Sequence, residues 1–177
     1  RLMIARIFLI NPAVLVADEP TSALDVSTQK ALVAMLKGLV EEKVARSLIF
    51  ITHDIATLRH ICDRIAVMYA GEFVEVGTMR QVIFDPVHPY TRALVGSVLV
   101  PEAAIRGRKL TTIPGTPPDL GDLPTGCRFA PRCTEHDGDC RSRHGELAMV
   151  KGRLVRCPRL AGSEGSENEQ EYEHEHD

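Results

Sequence analysis

Two adjacent carboxylates, Asp18 and Glu19, end a short apolar run inside VLVADEPTSALD, residues 14–25. A second polar pair, His53-Asp54, ends another apolar run, SLIFITHD, at residues 47–54. Adjacent like charges repel, and acids are rarely set at the rim of a core without a partner, so the first pair predicts a cation. Two carboxylates, an imidazole and a hydroxyl from Ser22 or Thr52 suit a phosphate-bound magnesium ion, which takes one or two carboxylates and keeps several waters. Alone, Asp18-Glu19 would equally suit a helix-capping turn, and His53 a capped strand end. The occurrence of both pairs, each at the end of an apolar run, favours the magnesium reading.

The elements between the pairs explain how they would meet. VLVAD is too brief for a helix and reads as a buried strand; SLIFI reads as a second. From Ser27, a plausible cap by residue type, Leu32, Leu36, Leu39 and Val40 recur at helical spacing. Ile55 to Cys62 looks helical, and RIAVMYAGEFVEVG at 64–77 reads as two strands turning at Ala70-Gly71. Such alternation predicts an α/β fold with a parallel sheet and helices on its faces. Parallel strands end on the same edge, where ligands of open α/β sheets bind. Upstream, Leu2 to Ile10 suit the end of a mostly buried helix stopped at Asn11-Pro12. This opening in mid-helix pattern predicts that further chain precedes Arg1.

Composition narrows the function classes. The chain has 177 residues, room for one domain or a domain with an appendage. Aromatics make up only 5% and Trp is absent, which argues against a base-stacking nucleic-acid surface. Residues 163–177 hold seven acids and no Lys or Arg, so the rest carries 21 basic against 17 acidic residues. That mild excess predicts no nucleic-acid partner. The acidic tail, with His174 and His176, reads as solvated and disordered. No run of 18 apolar residues occurs.

VLVADEPTSALD resembles the Walker B and D-loop of an ATP-binding cassette (ABC) ATPase, LIFITHD its H-loop strand, and RLMIARIFLINP the helix after its signature motif. The resemblance covers residues 1–80 and implies the C-terminal part of a P-loop ABC ATPase. It implies that Asp18 holds Mg2+ of Mg-ATP through water, and that Glu19 polarises the attacking water. His53 would contact the γ-phosphate, and Ser22 to Asp25 would cross to a partner cassette. Neither G-x-x-x-x-G-K-[ST] nor a Ser-Gly-Gly signature occurs in these residues, so this polypeptide alone is expected neither to bind ATP tightly nor to hydrolyse it.

After Thr78 the character changes. Tyr90 to about Val100 reads as a helix, and TIPGTPPDLGDLPTGCRFAPRC buries too little apolar surface for an ordinary core. Cys127, Cys133, Cys140 and Cys157 follow C-x5-C-x6-C-x16-C. Structural zinc usually uses tighter pairs, whereas four-iron clusters also take four thiolates; spacing leaves Zn2+ and iron–sulfur open. FDPVHPYTRAL, IPGTPPDL and GCRFAPRC resemble the C-terminal extension of oligopeptide and dipeptide importer ATPases, shared by nickel importers. That resemblance covers residues 81–160, leaves 161–177 as tail, and implies a 4Fe-4S cluster on the four cysteines. Arg153 stands where the family pattern has a histidine. Arg128 and Arg132 are expected to offset the cluster's charge, and His88-Pro89-Tyr90 to be a turn that docks a helix.

The implied function is the motor subunit of a peptide importer, peripheral on the cytoplasmic face of the membrane. Its partners would be a second ABC ATPase subunit, identical or paralogous, two transmembrane permease subunits and an extracytoplasmic substrate-binding protein. Nickel is the alternative cargo. A truncated cassette serving as a regulatory or docking module is the alternative role; a DNA-repair or translation ATPase is disfavoured by the extension.

Overall fold

A computed structural model describes residues 12–97 and 112–160; the predicted N-terminal helix and the acidic tail lie outside them. The chain divides between Cys62 and Asp63 into two compact units. None of the helices among the described residues is long and apolar enough to cross a membrane.

In the first unit, β1 (Val14–Asp18) and β2 (Ser47–Ile51) pair in parallel, from Val14 opposite Ser47 to Asp18 opposite Ile51. Helix α1 (Val26–Glu41) connects them and buries Leu36 and Leu39. Ser27 is not its cap. Asp25 is, because its carboxylate sits one turn back, where it accepts the backbone N–H groups of both Ser27 and Thr28. The strands also differ from the fully buried reading. Val14, Val16, Ile49 and Ile51 lie on an exposed face, while alternate residues are half-buried. Continuous apolar sequence cannot reveal which face of a strand is covered. Helix α2 (Ile55–Ile61) follows, capped by Asp54.

The second unit is an antiparallel sheet in the order β3-β4-β6-β5. β3 (Arg64–Tyr69) and β4 (Glu72–Thr78) form the expected hairpin. Its turn residues, Ala70 at φ +47° and Gly71 at +82°, supply the two positive φ angles that match the twist of the strands. β5 (Ala148–Val150) and β6 (Arg153–Val155) form a second hairpin across Lys151-Gly152, again with both φ positive. Sequence reading missed it because strands of three residues carry no measurable periodicity. Helix α3 (Met79–Phe84) begins with a capping box of Thr78 and Gln81. Helix α4 (Pro89–Ser97) starts one residue before the predicted Tyr90, with proline at its first position. The predicted continuation to Val100 falls outside the described residues.

One face of this sheet packs Ile65, Val67 and Tyr69, all buried. Tyr69, Tyr90 and Phe129 pack ring to ring, with centroids 4.6 to 5.3 Å apart, joining the hairpin, α4 and the cysteine-bearing segment. The opposite face carries Met68 beside Phe73, and Met149 beside Leu154, with Met68, Phe73 and Met149 exposed.

Candidate functional site

Parallel pairing of β1 with β2 brings the two polar pairs to one sheet edge. His53 Nδ1 lies 3.0 Å from Glu19 Oε1. Both side chains are exposed, His53 at 78% and Glu19 at 47%, so the pair is presented to solvent rather than used in packing. The hydrogen bond to Glu19 and then its charge raise the His53 pKa above 6.5, with Asp54 adding a smaller share. The imidazolium–carboxylate pair therefore forms below that raised value and dissolves as pH rises through it. Asp18 is the last residue of β1, opposite Ile51, and is exposed.

Glu19 departs from the strand with φ +42°, in the left-handed region that non-glycine residues seldom adopt. Its N–H donates to Ile51 O at 2.9 Å. Its carbonyl accepts Ser22 N–H at 3.2 Å and the Ser22 hydroxyl at 3.0 Å. Backbone strain held by several bonds is a recurrent mark of functional turns. Ser22 thus braces the turn that carries Glu19. Asp25 is occupied by α1: it accepts Ser27 N–H and hydroxyl through Oδ1 and the Thr28 hydroxyl through Oδ2, which hold its carboxyl well below the usual carboxylate range. Asp54 likewise accepts Ala56 N–H, and the Thr52 hydroxyl accepts Asp54 N–H at 3.0 Å, fixing the turn behind His53.

In the second unit the four cysteines form no disulfide, and Cys133, Cys140 and Cys157 are buried. Two short helical turns, Ala130–Arg132 and Gly138–Arg141, carry the chain around them. Cys127 N–H donates to Cys140 O at 2.9 Å. Gly126 permits this approach, since a Cβ there would meet Arg141 O at 2.4 Å. Burial pushes the Cys127 and Cys133 thiols up and Cys140 to about 11. Cys127 also feels Cys157, Cys133 feels both, and Cys140 feels Cys127, so the four are electrical neighbours. Among the described residues, however, no three His, Cys, Asp or Glu side chains are grouped to hold a metal ion. Neither the expected 4Fe-4S cluster nor the alternative Zn2+ thus finds a ready-made ligand group among the described residues; burial, which pushes the Cys127, Cys133 and Cys140 thiols up, disfavours gathering their thiolates unaided.

Arg128 and Arg132 do not serve as free counter-charges. Arg128 pairs with Glu72 at 3.2 Å. Arg132 donates to Pro114 O at 2.8 Å and lies over the Tyr69 ring. Both guanidinium groups are already engaged, Arg128 by Glu72 and the Ala70 carbonyl and Arg132 by Pro114 and Gly115 carbonyls.

The sequence reading missed a buried polar centre. Glu75, wholly buried in β4, accepts Val87 N–H at 3.0 Å, His88 N–H at 2.9 Å and Arg153 Nη1 at 3.3 Å. Arg153 also donates to Asp85 Oδ2 at 2.9 Å and Gln81 O at 3.0 Å. The departure at Arg153 is thus an ion-pair partner of β4. Glu75 within the apolar run FVEV was the available signal. His88 is buried, and its Nδ1 accepts Tyr90 N–H at 3.0 Å, which caps α4. The expected docking turn is therefore present. Burial, with help from the charge of Arg92, lowers its pKa to about 4.

Residues 74–140 match the family model described as the C-terminal region of the oligopeptide/dipeptide transporter. The match runs from β4 through the His88 turn to the third cysteine. The chain is 46% identical over 158 residues to the dipeptide transport ATP-binding protein DppD of Bacillus subtilis (strain 168), covering 89% of this chain and 46% of that protein. It is 43% identical over 157 residues to the oligopeptide transport ATP-binding protein OppD of Salmonella typhimurium (strain LT2), covering 89% and 46%. With DppD of Caldanaerobacter subterraneus subsp. tengcongensis it shares 46% identity over 158 residues, 89% and 48%. The chain spans about half the length of these curated relatives. Over that half the chain is similar to oligopeptide and dipeptide transport ATP-binding proteins, and residues 74–140 match the C-terminal region of that transporter family.

Proposed function

We propose that this chain forms the catalytic edge of an ATP-hydrolysing motor subunit in a peptide importer. The observation that carries the proposal is the Glu19–His53 contact of 3.0 Å at the carboxyl ends of two parallel strands, directly after Asp18. Phosphoryl transfer needs positioning and charge stabilisation rather than covalent help, and a base at a rigid strand end provides positioning. In a Walker B reading, Asp18 would hold Mg2+ through its waters. Two exposed acids fit that ion, since magnesium takes few protein ligands and fills its shell with water and phosphate. Magnesium bound with ATP neutralises phosphate charge.

Glu19 orients and deprotonates the attacking water. His53 keeps the carboxylate aimed and offers its far ring nitrogen to the γ-phosphate. Ser22 and Asp25 shape the D-loop, which faces a second ABC ATPase subunit. Because the phosphate loop is not in these residues, hydrolysis is assigned to an assembly that supplies one. Transmembrane permease subunits and an extracytoplasmic substrate-binding protein complete the importer, with this subunit peripheral on the cytoplasmic face. The names of the relatives favour peptides over nickel as cargo.

The cysteines would hold a 4Fe-4S cluster. Four cysteines within one small unit, none of them in a disulfide, match the number of thiolates that such a cluster takes. Such a cluster supplies cross-links among segments that share little apolar core. An absorption band near ~400 nm in anaerobically purified protein tests for thiolate-bound iron against colourless zinc.

In the ATP-hydrolysing assembly that contains this chain, Glu19→Gln is expected to lower turnover by roughly 10²–10⁴-fold while nucleotide binding persists. Undiminished turnover overturns the base assignment.

A further inference from the structure

The direction of the Glu19 carboxylate depends on a turn that its own residue type disfavours. At φ +42° Glu19 would relax towards extended backbone unless its neighbours prevent it. The Ile51 carbonyl holds its N–H, and Ser22 holds its carbonyl. Those bonds keep Glu19 in place only while Ser22 stays where it is. Ser22 is exposed, and its position depends on Thr21, which is buried.

The Thr21 carbonyl is fixed from two sides. Leu24 N–H donates to it at 3.2 Å from within the turn. From outside, the side-chain amide of Gln29 donates to it at 3.1 Å. Gln29 stands in the first turns of α1, where its own N–H bonds Asp25 O at 2.9 Å. That helix is anchored by Leu36 and Leu39 in the core. Pro20, with its fixed φ, leaves little slack between Glu19 and Thr21. A rigid helix therefore reaches back and pins the far side of the turn that carries the base.

Resting on the catalytic reading above, we infer that Gln29 is a positioning residue for Glu19: its amide latches the 19–22 turn to α1 and thereby aims the carboxylate at His53. Gln29 touches neither reacting atoms nor His53. It acts through Thr21 and Ser22.

The test uses the full 177-residue chain and solution NMR at one fixed pH. Its readouts are the through-space contact between the His53 ring and the Glu19 side chain, and the ring 15N shifts of His53. Gln29→Met and Gln29→Glu keep the length of the side chain and helix propensity but remove the donor. Gln29→Lys keeps a donor of similar reach. Both donorless variants are expected to lose the contact with helix content and melting temperature unchanged, and Gln29→Lys to retain it. Retention in either folded donorless variant overturns the inference, as does loss of the contact only together with melting of α1. A wild-type chain without the contact would remove the catalytic reading itself, and this inference with it.

Discussion

The two units handle polar side chains in opposite ways. In the first, the groups with chemical potential are on display: Asp18, Glu19 and His53 are exposed, and the strain at Glu19 is held by backbone bonds. In the second, one charged pair is inside: Glu75 and Arg153 meet within the fold, and burial lowers the pKa of His88 to about 4. A site that must receive a phosphate and a metal cannot desolvate its acids before the ligand arrives, because an unpaired buried carboxylate is costly. A segment with few apolar residues has the reverse problem. It gains definition by burying polar groups that pair with one another, as Glu75 does with Arg153 and the 87–88 backbone.

Breaking the buried pair gives the largest effect on stability. Arg153→Met leaves Glu75 charged and without its cation, and is expected to destabilise the second unit by about 3–5 kcal/mol. Near-ultraviolet circular dichroism reads this unit through Tyr69 and Tyr90. Adding Glu75→Gln removes the stranded charge and should recover part of the loss. An Arg153→Met protein as stable as wild type would show that the pair contributes specificity alone.

Acid separates the units next. The folded His88 titrates near 4 against 6.5 unfolded, so unfolding takes up a proton between these values. The stability due to neutral His88 is full above pH 6.5 and is lost as pH falls towards 4, by about 3 kcal/mol in total. His88→Gln should flatten that part of the pH profile. The exposed Glu19–His53 pair has the opposite sign. It is present below 6.5 and lost as pH rises through the raised His53 value, with a small effect because both partners are solvated.

The smallest effect probes strain in the first unit. Glu19→Gly and Glu19→Ala both remove the carboxylate, but only glycine adopts the left-handed backbone without cost. The glycine variant is expected to be more stable by about 1 kcal/mol, measured by denaturant unfolding. Equal stabilities would mean that the turn relaxes once its side chain is gone.

Much of this division can be read from residue types. The alternation of strand and helix placed Asp18-Glu19 and His53-Asp54 at one edge, and the observed parallel register from Val14 to Asp18 agrees. The Ala70-Gly71 hairpin was equally legible, because long apolar strands flank it. Lys151-Gly152 makes the same kind of turn, yet its flanking strands are too short to announce themselves. Asp25 was readable as a D-loop residue but also caps α1; a side chain's second partner depends on where the helix begins.

Local chemistry along the chain was determined by sequence: which residues are acids, thiols and turn formers, and which strands would run side by side. Tertiary structure alone decided who meets whom across long separations. Arg153 finds Glu75 over 78 positions, and Glu19 takes a left-handed backbone that its own residue type opposes. The physical reason is that propensity and periodicity act over a turn or a strand, whereas pairing of buried charges and tolerance of strain depend on neighbours that only the folded chain brings together.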